Sequence, residues 1–123
     1  MSASTRNIIA WILQGLLALA FIGSGGNKFA HLADTVKGFS GMGFPGWFPY
    51  LIAGAEVLGG IGLLIPRFTR LAALGLMIIM VGAAYVHTTI IPGGLLPNGL
   101  PALVLLGLLV VVYLLRRPTA VAI

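Results

Sequence analysis

Residues 52–80 read IAGAEVLGGIGLLIPRFTRLAALGLMIIM. Two apolar runs flank the short turn PRFTR at 66–70, and the first run carries Glu56, the only glutamate in the chain. Pro66 has no N–H to continue a helical ladder, so the turn closes one helix and the arginines open the next. Working outward gives four runs: about Asn7 to Lys28, Pro49 to Ile65, Arg70 to Ile91, where PGG stops it, and Leu100 to Leu115, ended by Arg116 and Arg117.

The solvent for these runs follows from composition. Of 123 residues 59% are hydrophobic and 7% are charged, the profile of a membrane protein and not of a soluble catalytic module. A hydrocarbon core of about 30 Å takes about 20 helical residues per crossing. The chain therefore has room for four crossings in one domain, 1–123, and backbone groups in lipid must be satisfied internally, so the runs are helices. The expected fold is all-α: a four-transmembrane-helix bundle with a short interfacial helix between the first two spans. The charged start of the first run also describes a signal peptide, but its length and the lack of a small-x-small cleavage site read as a span.

The net charge of +5 comes from cations scattered at segment ends, which argues for membrane topology and against nucleic acid. With four crossings Arg6, Arg67, Arg70, Arg116 and Arg117 share one side, and Lys28 and Lys37 the other. Both termini are then expected in the cytoplasm, with the protein in the cell (inner) membrane. Trp47, Phe48 and Tyr50 read as an outer aromatic belt, with Trp11 and Tyr113 near the inner interface. The connection after span one places Phe29, Leu32, Val36 and Phe39 at helical spacing, which predicts a surface helix acting as a cover or as a gate. GGIG at 59–62 is not a dinucleotide fingerprint, because no strand precedes it. Its expected role is close helix packing, with Ala55 and Gly59 as a small-xxx-small pair.

Three spans bring polar groups toward one level. Counting 1.5 Å per residue from Pro49 puts Glu56 roughly 10 Å below the outer boundary, and counting back from Pro92 puts His87 roughly 7 Å below it. Lys28 closes span one with Ser24 one turn beneath. Facing agrees: Gln14, Leu17, Ala18, Phe21, Ser24 and Lys28 form one stripe, Ala53, Glu56, Gly59 and Gly60 another, and Ala73, Met77, Met80 and His87 a third. A lone charge in lipid costs several kcal/mol (about 2.5 or more), so such groups pair or line a wet cavity. The expectation is a cluster of Lys28, Glu56 and His87, with Ser24 and Asn27 as secondary hydrogen-bonding groups. It reads either as a ligand site or as a structural ion pair fixing helix register.

Other chemistry finds little support. There are no cysteines, which removes thiolate and iron–sulfur chemistry. One carboxylate and one membrane histidine do not make a metal centre or a bis-histidine haem, and Ser24, His87 and Glu56 lack a nucleophile elbow.

GSGGNKF closing span one, AGAEVLGGIGLLIPRFTRLAALGLMIIM, and the histidine of AAYVH together resemble the DoxX family of small bacterial and archaeal membrane proteins. The resemblance covers spans one to three and implies a four-helix membrane bundle associated with electron transfer, with quinone as an acceptor in related systems. Lys28, Glu56 and His87 carry over as family-like polar positions. This points to a membrane subunit holding a quinone or another lipid-like carbonyl compound between spans one to three, with Phe21, Met77 and Met80 against it. Lys28 or His87 would donate to the ligand oxygen, Glu56 would orient them or relay a proton, and a redox partner protein would supply electrons. Two alternatives stay open, a non-enzymatic scaffold or assembly factor and a solute or proton pathway, as does homo-oligomerisation.

Overall fold

A computed structural model describes residues 1–118 and shows five helices and no strand among them: α1 (Ala3–Ala30), α2 (Leu32–Gly41), α3 (Phe48–Leu63), α4 (Thr69–Thr89) and α5 (Leu100–Leu115). Residues 119–123 of the single domain expected over 1–123 lie outside this description. Four of the helices match the four apolar runs to within a few residues, and α2 is the short helix expected after the first. Two, α1 and α4, are long and apolar enough to cross a membrane, while α3 and α5 are apolar but only 16 residues each.

Local signals set the helix ends. Ser2 caps α1, its Oγ accepting from Thr5 N at 3.1 Å, as short hydroxyl side chains do for otherwise unpaired first-turn N–H groups. The α1–α2 break falls at His31, with φ −121° and ψ 48°. Pro49 and Pro101 sit in the first turns of α3 and α5, where a missing N–H costs nothing. The α3 helix ends at Leu63, three residues before Pro66.

The long helices close a ring, in which α1 packs on α3, α3 on α4, α4 on α5 and α5 on α1; α2 touches only α1 and α3. One stripe of α1 is buried (Ala10, Gln14, Leu17, Ala18, Phe21 and Gly25), at the spacing that keeps residues on one helical face. It meets Ala53, Glu56, Gly60 and Leu63 of α3, with Leu76 and Met80 of α4 and Leu109 of α5 completing the core. The exterior is apolar too: Leu19, Leu58, Leu71 and Ile78 are each about 70% exposed. Apolar surface that extensive on every wall belongs against lipid, since in water it would drive association.

Small residues set how near the helices come. A methyl group at Gly25 would fall 2.5 Å from the Ala53 carbonyl oxygen, so α1 and α3 touch backbone to backbone there. The adjacent glycines divide their work: Gly60 lies against Ala18 and Ile22 of α1, and Gly59 against Leu76 of α4. The close packing expected of Gly59 is therefore present, and Gly60 adds a second contact on another helix.

Candidate functional site

Glu56 is 3% exposed and meets α1 at the level where Gly25 removes the barrier to close approach. Ser24 Oγ donates to Glu56 Oε2 at 3.0 Å, and Lys28 Nζ donates to Ser24 Oγ at 2.8 Å. Lys28 Nζ also lies 2.6 Å from Glu56 Oε1. At that distance the ammonium engages the buried Oε1 directly, a charge-assisted contact. The spacing of Ser24 and Lys28, one turn apart on one face, is what lets both reach a single carboxylate on the neighbouring helix.

The two ends of the pair differ in access. The Lys28 side chain keeps 24% of its surface and Glu56 4%. An ammonium has three N–H donors, and within the described residues one goes to Ser24 while another faces Oε1. The third is uncommitted, at the edge of the α1–α3 seam. Thr35 of α2 donates from Oγ1 to the Lys28 carbonyl at 3.3 Å, so the short helix is tied to α1 beside this edge.

His87 and Asn27 stand apart from this arrangement. Nδ1 of His87 lies 3.0 Å from Ala83 O on its own helix and must donate to it, a carbonyl being only an acceptor. The reason is register. Gly59 faces Leu76 and Gly62 faces Ala72, so each residue of α3 sits level with an α4 partner counted from the shared turn. Extending that count sets Glu56 level with about Ile79, and His87, eight residues on, lies about 12 Å farther along the axis. The expected hydrogen bond from His87 to Glu56 is accordingly replaced by one to Ala83. The Asn27 side chain is exposed, and it is its carbonyl that accepts, from His31. Phe21 and Met80, expected against a ligand, are buried in the core.

A second polar network lies at the opposite end, around the α3–α4 turn. Gln14, fully buried, donates from Nε2 to Leu63 O at 2.6 Å and to Thr69 Oγ1 at 3.3 Å. Its Oε1 accepts from Arg116 Nε at 2.7 Å, and Arg116 Nη1 donates to Asn7 Oδ1 at 2.8 Å. Gln14 thus ties α1 to the end of α3, the start of α4 and the residue after α5. Its place on the α1 stripe with Ser24 and Lys28 was the available sequence clue; the pairing with Arg116, remote in sequence, had none.

The apolar walls, the helical ring and an ion pair buried between two helices define a membrane protein of the small helical-bundle class. A family model described as the DoxX-like family matches residues 12–113, and the chain belongs to that family. No curated protein and no solved structure matches the chain.

Proposed function

We propose that the protein is a membrane subunit of an electron-transfer system that binds a quinone, or another lipid-like carbonyl compound, at the Lys28 edge of the α1–α3 seam. The observation that carries the reading is the half-open ion pair: a partly exposed ammonium with an uncommitted N–H, held from behind by a buried carboxylate. The ammonium can donate to a carbonyl oxygen, while the Glu56 carboxylate behind it holds the ammonium in place and balances its charge. Electrons would come from a partner protein, because the chain has no cysteine and too few ligating side chains to hold a redox centre of its own. Lys28 is the contact group, and Glu56 and Ser24 position it.

The same reading takes α1, α3, α4 and α5 as four crossings of the cell membrane with both termini in the cytoplasm. What supports it is the gathering of Asn7, Arg67, Arg70 and Arg116 around one cavity at the end opposite Lys28, as the positive-inside rule expects of a cytoplasmic end. The chain has no cysteine, so single cysteines introduced at Ser4 and Ser40 give a clean topology assay: labelling by a membrane-impermeant maleimide at Ser40 and protection at Ser4 in intact cells is the expected pattern. Labelling of both would overturn it.

The test of the site is quinone content. Protein purified from native membranes should carry quinone by mass spectrometry, and Lys28→Met should lose most of it. Retention in Lys28→Met would instead favour a scaffold whose ion pair only fixes helix register, a reading supported by the tight α1–α3 contact at Gly25 and Gly60.

A further inference from the structure

The end of the bundle opposite Lys28 holds a cavity of about 530 Å³ whose lining includes Asn7, Trp11, Gln14, Arg67, Arg70 and Arg116. Its volume falls in the range of small-ligand pockets. Three arginines line it, and among the described residues no acidic side chain does: the two acidic side chains are Asp34, on α2, and Glu56, paired with Lys28.

Neutral groups hold these cations in place. Arg116 is fixed through Nε and Nη1 to the side-chain oxygens of Gln14 and Asn7, with its guanidinium 5.3 Å from the centre of the Trp11 ring. Its Nη2 is buried and has no hydrogen-bond partner among the described residues. Arg70 donates from Nε to Tyr113 O at 3.1 Å and stacks 3.9 Å over the Tyr113 ring, and neither of its terminal nitrogens is bonded among the described residues. Arg67 sits 5.6 Å from the Phe68 ring, also without a hydrogen bond there. Helix α4 begins beside them with no side-chain cap, adding the positive end of its dipole.

We propose that this cavity is an oxyanion site that takes the phosphate of an anionic phospholipid head group. Guanidinium forks match phosphate oxygens in pairs, and forks already oriented lose little freedom on binding. Basic pockets between helices at a membrane interface suit such head groups. Trp11 forms part of the rim, and Ile8 and Ile12 are each 56% exposed on the same stretch of α1, an apolar wall along which acyl chains can run. Burial pulls the Arg116 guanidinium below its usual range, a desolvation cost that a bound anion offsets.

The experiment is native mass spectrometry of the full-length protein in detergent, titrated with phosphatidylglycerol, phosphatidylcholine or inorganic phosphate. Phosphatidylglycerol should be retained at least about tenfold more strongly than phosphatidylcholine, a factor of the size expected for charge-assisted phosphate contacts. Arg116→Gln should abolish the preference. Should that variant fail to fold, Arg67→Gln, which gives up no hydrogen bond among the described residues, should weaken it several-fold, while Lys37→Gln on α2 leaves it unchanged. Displacement of the lipid by inorganic phosphate would assign the site to a free phosphate ion, and retention would assign it to the lipid; either result supports an oxyanion site. Equal retention of the two lipids, or an unchanged preference in an Arg67→Gln, Arg116→Gln double variant, would overturn it.

Discussion

The two ends of this bundle handle buried charge in opposite ways. At the Lys28 end one cation meets one carboxylate, Ser24 bridges them, and the local charge closes to zero. Around the α3–α4 turn, arginines are held by amide oxygens, a backbone carbonyl and aromatic rings, none of which cancels a charge. The contrast teaches that orientation and neutralisation are separate jobs. A cation can be fixed in position by neutral acceptors and keep its full attraction for an anion, whereas a paired cation can offer a ligand only its leftover donors.

Breaking the neutral end should have the largest effect. Glu56→Leu leaves Lys28 beside an apolar wall, and loss of one member of a buried pair costs about 3–5 kcal/mol, so the variant should unfold well below the wild type in a thermal melt in detergent. Adding Lys28→Met should recover most of that loss, and failure to recover it would show that the pair is worth more than its removal from lipid. Next comes the seam beneath the pair. Gly25→Ala pushes a methyl group against the Ala53 carbonyl, where neither backbone can yield easily, and should cost about 1–3 kcal/mol by the same assay.

The charged end should break more gently. Gln14→Leu takes the acceptor from Arg116 Nε and one donor from Leu63 O, for a loss of about 1–3 kcal/mol. Thr69 still donates to Leu63 O at 3.1 Å, which should keep the cost toward the lower end of that range. Arg67→Gln should change stability by less than about 0.5 kcal/mol, the usual scale for a surface substitution away from a bonded network. Its effect is expected in anion retention alone. A marked destabilisation would mean that the arginines stabilise the fold directly, and the contrast between the ends would fall.

Most of the architecture could be read from runs and punctuation. Four apolar stretches, each bounded by proline, glycine or arginine, became four helices, and the amphipathic pattern after Lys28 became α2. The Lys28, Ser24 and Glu56 contact was legible because helical facing and a glycine-lined seam act over a single turn. His87 was misplaced for a specific reason: its depth was counted from Pro92, whereas the level of α4 against α3 is set by the short turn they share. Counting outward from PRFTR puts Ile79 beside Glu56 and would have excluded His87 from the carboxylate. Reading the arginines as topology signals concealed their convergence, because only the closed ring brings Arg116 to Asn7 and Gln14.

The helices of the ring are unequal in height. At 1.5 Å per residue, the 28 residues of α1 rise about 42 Å, while the 16 residues of α3 and of α5 rise about 24 Å each. Between Arg6 and Lys28 the less polar part of α1 rises about 31 Å. A bilayer around a bundle that α3 and α5 also cross would meet a taller wall beside α1 than beside α3 and α5, and its hydrocarbon thickness would follow the shorter walls or the tall helix would lean. Lipids beside α3 and α5 would be the compressed ones, and shorter acyl chains would relieve them. The protein would then sort toward thin membrane, and act as a local dimple in thick membrane.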